Sequence, residues 1–430
     1  MRILIKDGHV IDPANKIDDV YDIFIENGII EEVGKNLDYD GVDIEQIDAK
    51  GKIVAPGLVD MHCHLRDPGQ QYKEDIETGT KSAAAGGVTS IACMPNTQPV
   101  IDDVTIVEYI KSKAANVGCV NVFPIGAITK GSLGQELAEI GKLKFAGVAG
   151  ISDDGKPVTN PAIMKNALNY AKTFDTMVIS HCEVPELSEG GAINEGTVST
   201  KLGLQGINAA AEDIAVCRDI ILAKAVNAPI HIAHVSTAGA AELIRRAKKD
   251  GVQITCETCP HYFSLTEDAV IGYNTNAKMN PPLRTEQDVE AIIQAITDGT
   301  IDAIATDHAP HHIDEKNCEF DRALNGIVGF ETALSLGITY LVEPNHISMS
   351  TLIEKMSYMP SRILGINKGT LSSGKSADIV IIDKDEKRTV NVDEFHSKSK
   401  NSPYKGYTLD GTVIYTIVGG KIVVRNGILV

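Results

Sequence analysis

The chain has 430 residues, 43% hydrophobic and 23% charged, an ordinary composition for a globular protein with one large domain and a smaller one. With 40 Lys and Arg against 58 Asp and Glu, the net charge is −18, which argues against nucleic acid and anionic membrane as partners. The N-terminus has no long apolar segment of the signal-peptide type, and no apolar run approaches the ~20 residues of a membrane span, so we predict a cytoplasmic protein.

Both ends of the chain are predicted to be β-structure. Segments such as RILIKDGHVI and VYDIFIENGII near the start, and ADIVIIDKDEKRTV and TVIYTIVGGKIVVRNG near the end, have strand-like patterns punctuated by Asp-Gly and Asn-Gly turn signals. The two termini of one domain often lie close together in space. We therefore predict that residues 1–52 and 367–430 form one small β-sandwich domain.

The middle of the chain, residues 53–366, alternates between short apolar strands and helical stretches. The predicted strands are IVAPGLVDMHCH, GVTSIACMPN, NVFPIGAIT, AGVAGISD, TMVISHC, PIHIAHV, QITCETC and DAIATDH, with helical stretches such as KEDIETGTKSAAAGG and TAGAAELIRRAKKDG between them. Eight strand–helix units in this order favour a (β/α)8 TIM barrel. A doubly wound sheet is the alternative.

The first predicted barrel strand ends in DMHCHLRDPG, residues 60–69, where His62 and His64 lie two residues apart. Alternate side chains on a strand point to the same face, so the two imidazoles would form half of a metal site. The alternative interpretation is a pair of solvent-facing histidines on an edge strand.

Other strands of the predicted barrel also end in polar residues. They are Asn96 after strand two, Asp153 and Asp154 after strand four, His181 after strand five, His234 after strand six, and Asp307 and His308 after strand eight. Catalytic residues of such barrels come from the carboxyl ends of the strands. Histidines and carboxylates suit zinc or a similar divalent ion, and six ligands suit two ions that share a bridging carboxylate and a bridging hydroxide.

Three choices among neighbouring residues remain open from the sequence pattern alone. Asp153 and Asp154 compete for one role. His231 and His234 are three residues apart on a strand, so only one of them faces inward, and His234 is nearer to the strand end. The histidines within residues 308–312 are too close together for all of them to be ligands.

Cysteine usage favours a reducing compartment. Most of the eight cysteines lie in apolar runs and are predicted to be free thiols packed as small hydrophobic side chains. Cys256 and Cys259 form a C-x-x-C pair, but both fall in a segment that reads as strand, which disfavours a redox motif.

The motifs DMHCHLRDPG, MPNT, SDDGKPV, ISHCE, IAHVST, KMNPPLR and ATDHAPH together resemble the dihydroorotases of the amidohydrolase superfamily, most closely the type I bacterial branch. The resemblance covers essentially the whole chain. It implies a (β/α)8 barrel with two zinc ions per subunit. It also implies the reversible cyclisation of N-carbamoyl-L-aspartate to L-dihydroorotate in de novo pyrimidine (UMP) biosynthesis.

The resemblance implies a role for each matched ligand. His62 and His64 would bind the more buried zinc, His181 and His234 the other, and Asp154 would bridge the two. Asp154 is preferred to Asp153 because its spacing to His181 resembles the family pattern. Asp307 would bind the buried zinc and act as general acid/base, carrying a proton between the zinc-bridging hydroxide and the ring nitrogen.

The resemblance also implies a set of substrate-binding residues: His64, Arg66, Asn96, Asn280, His311, Asn325 and Gly326. Arg66, with Asn96 and His311, would hold the substrate carboxylate, for which a guanidinium is well suited. Asn280 would contact the pyrimidine ring, and the backbone at residues 325–326 would add a further contact.

Two other functions compete with this interpretation. One is another cyclic amidase, such as an allantoinase or dihydropyrimidinase. Arg66, Asn96 and the Asp-Asp pair, which stands where many relatives carry a carboxylated lysine, argue against it. The other is a non-catalytic scaffold, which should have lost metal ligands. As partners, the resemblance implies a second copy of the chain and adds aspartate transcarbamoylase as a candidate.

Overall fold

The computed structural model describes residues 2–39, 41 and 43–430. The strands are β1 (Arg2–Asp12), β2 (Ile17–Glu26), β3 (Ile29–Gly34), β4 (Ile44–Asp48), β5 (Ile53–Pro56), β6 (Leu58–Cys63), β7 (Val88–Cys93), β8 (Asn121–Gly126), β9 (Gly150–Ser152), β10 (Met177–Ser180), β11 (Ile193–Asn194), β12 (Gly206–Ile207), β13 (Ile230–Ile232), β14 (Ile254–Thr258), β15 (Ala303–Ile304), β16 (Ile379–Thr389), β17 (Thr408–Val418), β18 (Lys421–Arg425) and β19 (Ile428–Leu429).

The α-helices lie mainly between the strands of the middle region. They are α1 (Ile76–Ala85), α2 (Val104–Val117), α3 (Ile140–Ala146), α4 (Pro161–Thr173), α5 (Pro185–Ser188), α6 (Thr197–Leu202), α7 (Ala210–Val226), α8 (Ala238–Lys249), α9 (Pro260–Ser264), α10 (Glu286–Thr297), α11 (Ile313–Lys316), α12 (Ala333–Gly337), α13 (Met349–Ile353) and α14 (Met359–Leu364). Two π-helical segments, Ile338–Val342 and Glu354–Tyr358, follow α12 and α13. Short 3-10 helices span Pro13–Asn15, Lys130–Ser132, Glu267–Val270, Thr275–Ala277 and Val392–Glu394.

Eight parallel strands form the barrel in chain order: β6, β7, β8, β9, β10, β13, β14 and β15. The first strand meets the segment after the last one, because the backbone N–H of His64 donates to the carbonyl of His308 at 2.8 Å. All eight predicted strands are present, and the TIM-barrel prediction is confirmed. The short strands β11 and β12 pair with each other in a separate two-stranded sheet.

Both chain ends join in one nine-stranded sheet, in the order β19-β18-β17-β16-β5-β1-β2-β3 with β4 beside β1. One strand prediction was wrong, because the segment IVAPGLVDMHCH forms two strands, β5 and β6, and not one. β5 pairs with β1 and β16 in the terminal sheet, whereas β6 begins the barrel. The change occurs at Gly57, where a Cβ atom would lie 2.2 Å from the side chain of Thr89. The domain limits remain a prediction, and we propose that the sheet domain includes β5.

Most of the barrel helices begin at a side chain that accepts a backbone N–H. Asp75, Asp103, Asn160, Thr237 and Thr285 cap α1, α2, α4, α8 and α10 in this way. The helices then bury one face against the barrel; α8, for example, buries Ala240, Ala241, Ile244 and Ala247. In the described part of the chain, none of the helices combines the length and the apolar character that a membrane crossing requires.

The inside of the barrel is filled by apolar side chains. Met61, Ala92, Ile125, Ile179 and Ala303 form one buried cluster, together with Ile363 and Leu364 of α14. The polar residues predicted from the sequence lie at or just beyond the carboxyl ends of the strands. The barrel therefore has an apolar interior and one polar end, as expected for a fold of this kind.

Candidate metal centre

Two groups of side chains that could each hold a metal ion share one residue, Asp154. The first is His62, His64 and Asp154, and the second is Asp154, His181 and His234. Within each group the ligand atoms lie within 4.8 Å of one another, and each of these side chains is buried. A single oxygen of Asp154 lies 3.3 Å from His62 Nε2, 3.6 Å from His181 Nδ1 and 3.7 Å from His234 Nε2. Asp154 thus stands between the two groups.

The chemistry of these side chains fits a metal ion. Imidazole nitrogens and carboxylate oxygens are the ligands that zinc and similar divalent ions take. His62 Nε2 is fully buried and, among the described residues, has no hydrogen-bond partner, although it points toward Asp154. A buried nitrogen without a partner is costly, and a bound cation would satisfy it.

The electrostatics of the ligand groups favour a cation. Burial raises the pKa of Asp154, but the charge of His62 and the nearby imidazoles of His181 and His234 outweigh it and hold that pKa well below its usual value. Burial lowers the pKa of His181, yet the nearby carboxylate of Asp154 and the hydrogen-bonded carboxylate of Glu183 raise it to about 10. A divalent ion would take the place of the imidazole protons, so its affinity rises with pH.

Asp153 has a different role from its neighbour Asp154. One Asp153 oxygen accepts the backbone N–H groups of Ile128 at 2.9 Å and Thr129 at 3.1 Å. These bonds hold the segment after β8, so Asp153 supports the backbone while Asp154 faces the histidines.

The three histidines that follow β15 also differ in their surroundings. His308 is buried and stacks on Phe330, with ring centroids 4.0 Å apart. His312 is partly exposed and lies beside Asp314. His311 is buried and donates from Nε2 to the carbonyl of Asn325 at 2.7 Å, which places it at the edge of the pocket described below.

Glu257 on β14 is a residue that the sequence analysis missed. Its Oε1 lies 2.6 Å from His62 Nδ1, and its Oε2 lies 3.4 Å from His231 Nε2. Burial opposes ionisation of Glu257, but the charge of His62, the nearby ring of His231 and the hydrogen bond from His62 lower its pKa to about 2. A carboxylate at this place orients the ring of His62 and increases its basicity as a ligand. The signal in the sequence was an acidic residue inside the strand QITCETC.

Glu183 supports the second ligand group. Its Oε2 lies 2.9 Å from His181 Nε2 and accepts the amide of Asn280 at 3.1 Å. The carboxylate therefore orients a ligand candidate and a substrate-binding candidate at once. In the sequence it was visible only as the acid of the motif ISHCE.

Asp307 lies against the first ligand group without belonging to it. Its Oδ1 is 2.9 Å from His64 Nε2 and 3.6 Å from His62 Nε2. Asp307 has a φ of 46°, and Arg66 and His234 also have positive φ values, of 59° and 35°. Such backbone is uncommon outside glycine and concentrates at functional sites.

A pocket of about 240 Å³ opens beside the ligand groups. All of the predicted substrate-binding residues line it: His64, Arg66, Asn96, Asn280, His311, Asn325 and Gly326. Arg66 is buried, and its guanidinium contacts the carbonyl of Pro310 at 3.2 Å and the ring of His311 at 3.4 Å. Neither contact neutralises its charge, so the guanidinium is available to an anion.

Asn96 connects the pocket to the ligand groups. Its side-chain oxygen lies 2.8 Å from His64 Nδ1, and its amide donates to Asp154 Oδ2 at 3.3 Å. Asn96 thus fixes the ring of one ligand candidate and contacts the carboxylate that both groups share.

Two family models and several known proteins match this chain. The model of Dihydro-orotase-like proteins matches residues 51–240, and that of the Amidohydrolase family matches residues 199–424. The dihydroorotase of Acetivibrio thermocellus is 61% identical over 99% of this chain and 100% of its own length. The dihydroorotase of Ruminiclostridium cellulolyticum is 58% identical over 100% of both chains.

Solved structures share the fold at much lower identity. The L-hydantoinase (dihydropyrimidinase) from Arthrobacter aurescens is 25% identical, with a TM-score of 0.90 over 100% of this chain and 97% of that one. The dihydropyrimidinase from Brevibacillus agri NCHU1002 is 24% identical, with a TM-score of 0.87 over 100% and 96%. The architecture is common to these structures, while the sequence is far closer to the two dihydroorotases.

Proposed function

The chain belongs to the dihydroorotase family of the amidohydrolase superfamily, and from that premise we propose how its site interconverts N-carbamoyl-L-aspartate and L-dihydroorotate. This reaction closes the ring in de novo pyrimidine biosynthesis. One observation carries the proposal: a buried Arg66, which has no carboxylate partner within the described part of the chain, shares its pocket with two ligand groups joined by Asp154. Dihydroorotate carries a carboxylate beside its cyclic amide, whereas the rings of hydantoin, allantoin and dihydrouracil carry none.

The ligand groups are best suited to two zinc ions. His62, His64 and Asp154 would hold one, with Asp307 as a further ligand, and Asp154, His181 and His234 would hold the other. When bound, the ions supply a water molecule that is nucleophilic at neutral pH and polarise the attacked carbonyl. Glu257 and Glu183 keep the rings of His62 and His181 oriented toward the ions.

Asp307 is proposed to move the proton. Burial opposes its ionisation, but the charges of His62 and His64 and the hydrogen bond from His64 hold its pKa well below the usual range. It is therefore a carboxylate before ring opening and accepts the proton of the attacking water. It then delivers that proton to the ring nitrogen as the C–N bond breaks. In ring closure the steps reverse: Asp307 takes the proton from the carbamoyl nitrogen as the C–N bond forms and delivers it to the carboxyl oxygen that leaves as its bond to carbon breaks.

The substrate carboxylate is assigned to the cationic side of the pocket. The guanidinium of Arg66 can donate two hydrogen bonds to it, with Asn96 and His311 beside it. Asn280, and the backbone at residues 325–326, also line the pocket and are assigned to the ring. Substrate is thus held at its charged end while the cyclic amide faces the ligand groups.

The Arg66→Ala variant tests that assignment. We expect the KM for L-dihydroorotate to rise roughly 10- to 100-fold, because charge-assisted hydrogen bonds contribute about 1.5–3 kcal/mol, and kcat to change little. Arg66→Lys, which keeps the charge and loses the fork of donors, should give an intermediate KM. Steady-state kinetics measure both parameters, and an unchanged KM in the alanine variant would take Arg66 out of the substrate site.

The activity itself is tested by hydrolysis of L-dihydroorotate, allantoin and dihydrouracil, before and after metal chelation and after zinc is restored. We expect activity on dihydroorotate alone, lost on chelation and recovered with zinc. Activity confined to a neutral ring would move the protein to the allantoinase or dihydropyrimidinase class. A purified protein that is inactive on every ring, even with zinc, would favour the non-catalytic scaffold.

We propose that the enzyme works as a homodimer in the cytoplasm, with aspartate transcarbamoylase, the source of N-carbamoyl-L-aspartate, as a candidate partner. The compartment is supported by the cysteines, all eight of which are free thiols in the structure. The two partner assignments rest on the family resemblance.

A further inference from the structure

A segment from the C-terminal part of the chain, Ser397–Asn401, lies beside the substrate pocket. We call it the strap. It follows strand β16 in the chain and lies far in sequence from the barrel loops that it contacts. The hydroxyl of Ser399 donates to the carbonyl of Lys73 at 2.7 Å, and the backbone N–H of Lys398 donates to Glu74 at 3.2 Å. Both acceptors lie in the segment after β6, which also carries Arg66.

At the end of the strap, the side chain of Asn401 bonds to two other loops. Its Oδ1 accepts the backbone N–H of His311 at 3.1 Å. Its Nδ2 donates to the carbonyl of Ala309 at 3.1 Å and to the carbonyl of Gly326 at 3.0 Å. The backbone carbonyl of Asn401 accepts the N–H of Val328 at 2.9 Å.

The buried side-chain amide of Asn401 uses both of its polar atoms, since the oxygen accepts one hydrogen bond and the nitrogen donates two. Asn401 is 4% exposed, so loss of its side-chain bonds would leave the N–H of His311 and the carbonyl of Ala309 without a partner and out of reach of bulk water. The carbonyl of Gly326 would still accept from Lys316 Nζ at 3.1 Å. An apolar side chain of similar size would satisfy none of the three groups. A carboxylate would still accept from His311, but it would set oxygen against the carbonyls of Ala309 and Gly326.

The loops that Asn401 joins are those that line the substrate pocket. His311 and Gly326 both line it, and Ala309 does so too, whereas Asn401 itself lines the neighbouring cavity on the other side of His311. Asn401 therefore contacts the backbone that places the pocket residues without reaching into the pocket. A chain segment outside the barrel thus reinforces the contact between two loops that also pair directly, because the N–H of Ala309 donates to the carbonyl of Ile327 at 2.7 Å.

We propose that Asn401 is a positioning residue for substrate binding, which fixes the loops of His311 and Gly326 at the spacing that the substrate requires. The proposal rests on the function proposed above. It assigns to the C-terminal part of the chain a role in substrate affinity, in addition to its place in the terminal sheet.

The test compares Asn401→Ala and Asn401→Asp with Ser402→Ala. Ser402 is a matched control, because it is the next residue, is equally buried, and its hydroxyl accepts from Tyr404 N–H within its own segment at 3.3 Å. We expect both Asn401 variants to raise the KM for L-dihydroorotate about tenfold or more, because the loops of His311 and Gly326 would no longer be held ready for the substrate. We expect kcat to stay within about threefold and Ser402→Ala to resemble the wild type.

A second readout does not depend on activity. Amide hydrogen exchange at residues 307–328 should be faster in the Asn401 variants than in the wild type and unchanged in Ser402→Ala. An unchanged KM in a folded variant, a KM shift of equal size in Ser402→Ala, or unchanged exchange would each overturn the proposal. If the alanine variant does not fold, the isosteric Asn401→Asp decides alone. Wild-type protein without dihydroorotate activity would overturn the proposed function instead. The exchange measurement would still test whether Asn401 holds the two loops.

Discussion

Asp307→Asn should lose nearly all turnover of L-dihydroorotate and keep its metal. The amide has almost the shape of the carboxylate but cannot accept and return a proton, a role that contributes about 10²–10⁴-fold in enzymes. Metal should remain because each of the two ligand groups has three members without Asp307. The measurements are kcat in both directions and metal content per subunit after dialysis.

Two outcomes would contradict this assignment. Turnover within about tenfold of the wild type would remove Asp307 from proton transfer, because positioned acid–base catalysis is worth far more than that. Loss of both metal and turnover would instead make Asp307 principally a ligand. Metal content distinguishes the second outcome from the first. A loss of metal is the result expected of a ligand, because Asp307 lies 2.9 Å from the ligand candidate His64.

The barrel was predictable from the sequence because each of its signals is local. The strands are short, largely apolar and mostly buried runs, and five of the barrel helices begin at Asp, Asn or Thr caps. The polar residues of the site share one end of the barrel because parallel strands present their carboxyl ends together. His62, His64 and Asp307 could therefore be grouped from their places after strands, without any knowledge of distances.

Other features depended on contacts between distant residues. Glu257 orients His62 from a position 195 residues away in the chain, and its place inside an apolar strand does not tell which residue it contacts. Asn401 reaches His311 across 90 residues from outside the barrel. The break between β5 and β6 depends on how closely Gly57 approaches Thr89, which is a tertiary property.

The choice between Asp153 and Asp154 shows the same limit at the level of two adjacent residues. Both are acidic and both are buried, so composition and burial cannot separate them. They differ in what surrounds each side chain. Asp153 meets backbone N–H groups of the β8 loop, whereas Asp154 meets imidazole nitrogens from β6, β10 and β13.

This difference predicts opposite behaviour for two adjacent and chemically identical substitutions. Asp154→Asn removes the charge that both ligand groups share, so we expect it to lower metal affinity and turnover by more than about 100-fold. Asp153→Asn, the matched control, should keep metal and turnover and lower the free energy of unfolding by about 1–3 kcal/mol, because the neutral oxygen is a weaker acceptor for the N–H groups of Ile128 and Thr129. Metal content, kcat and denaturant unfolding distinguish the two.

The metal content of Asp154→Asn also distinguishes a carboxylate that bridges two ions from one that binds a single ion. A carboxylate that serves one ion would leave the other in place on substitution, and the protein would retain half of its metal. A carboxylate between the two groups, with one oxygen 3.3–3.7 Å from three imidazoles, should release both ions together. Full metal retention in Asp154→Asn would show that the histidines alone hold the ions, and the shared carboxylate would then have no place in the proposed centre.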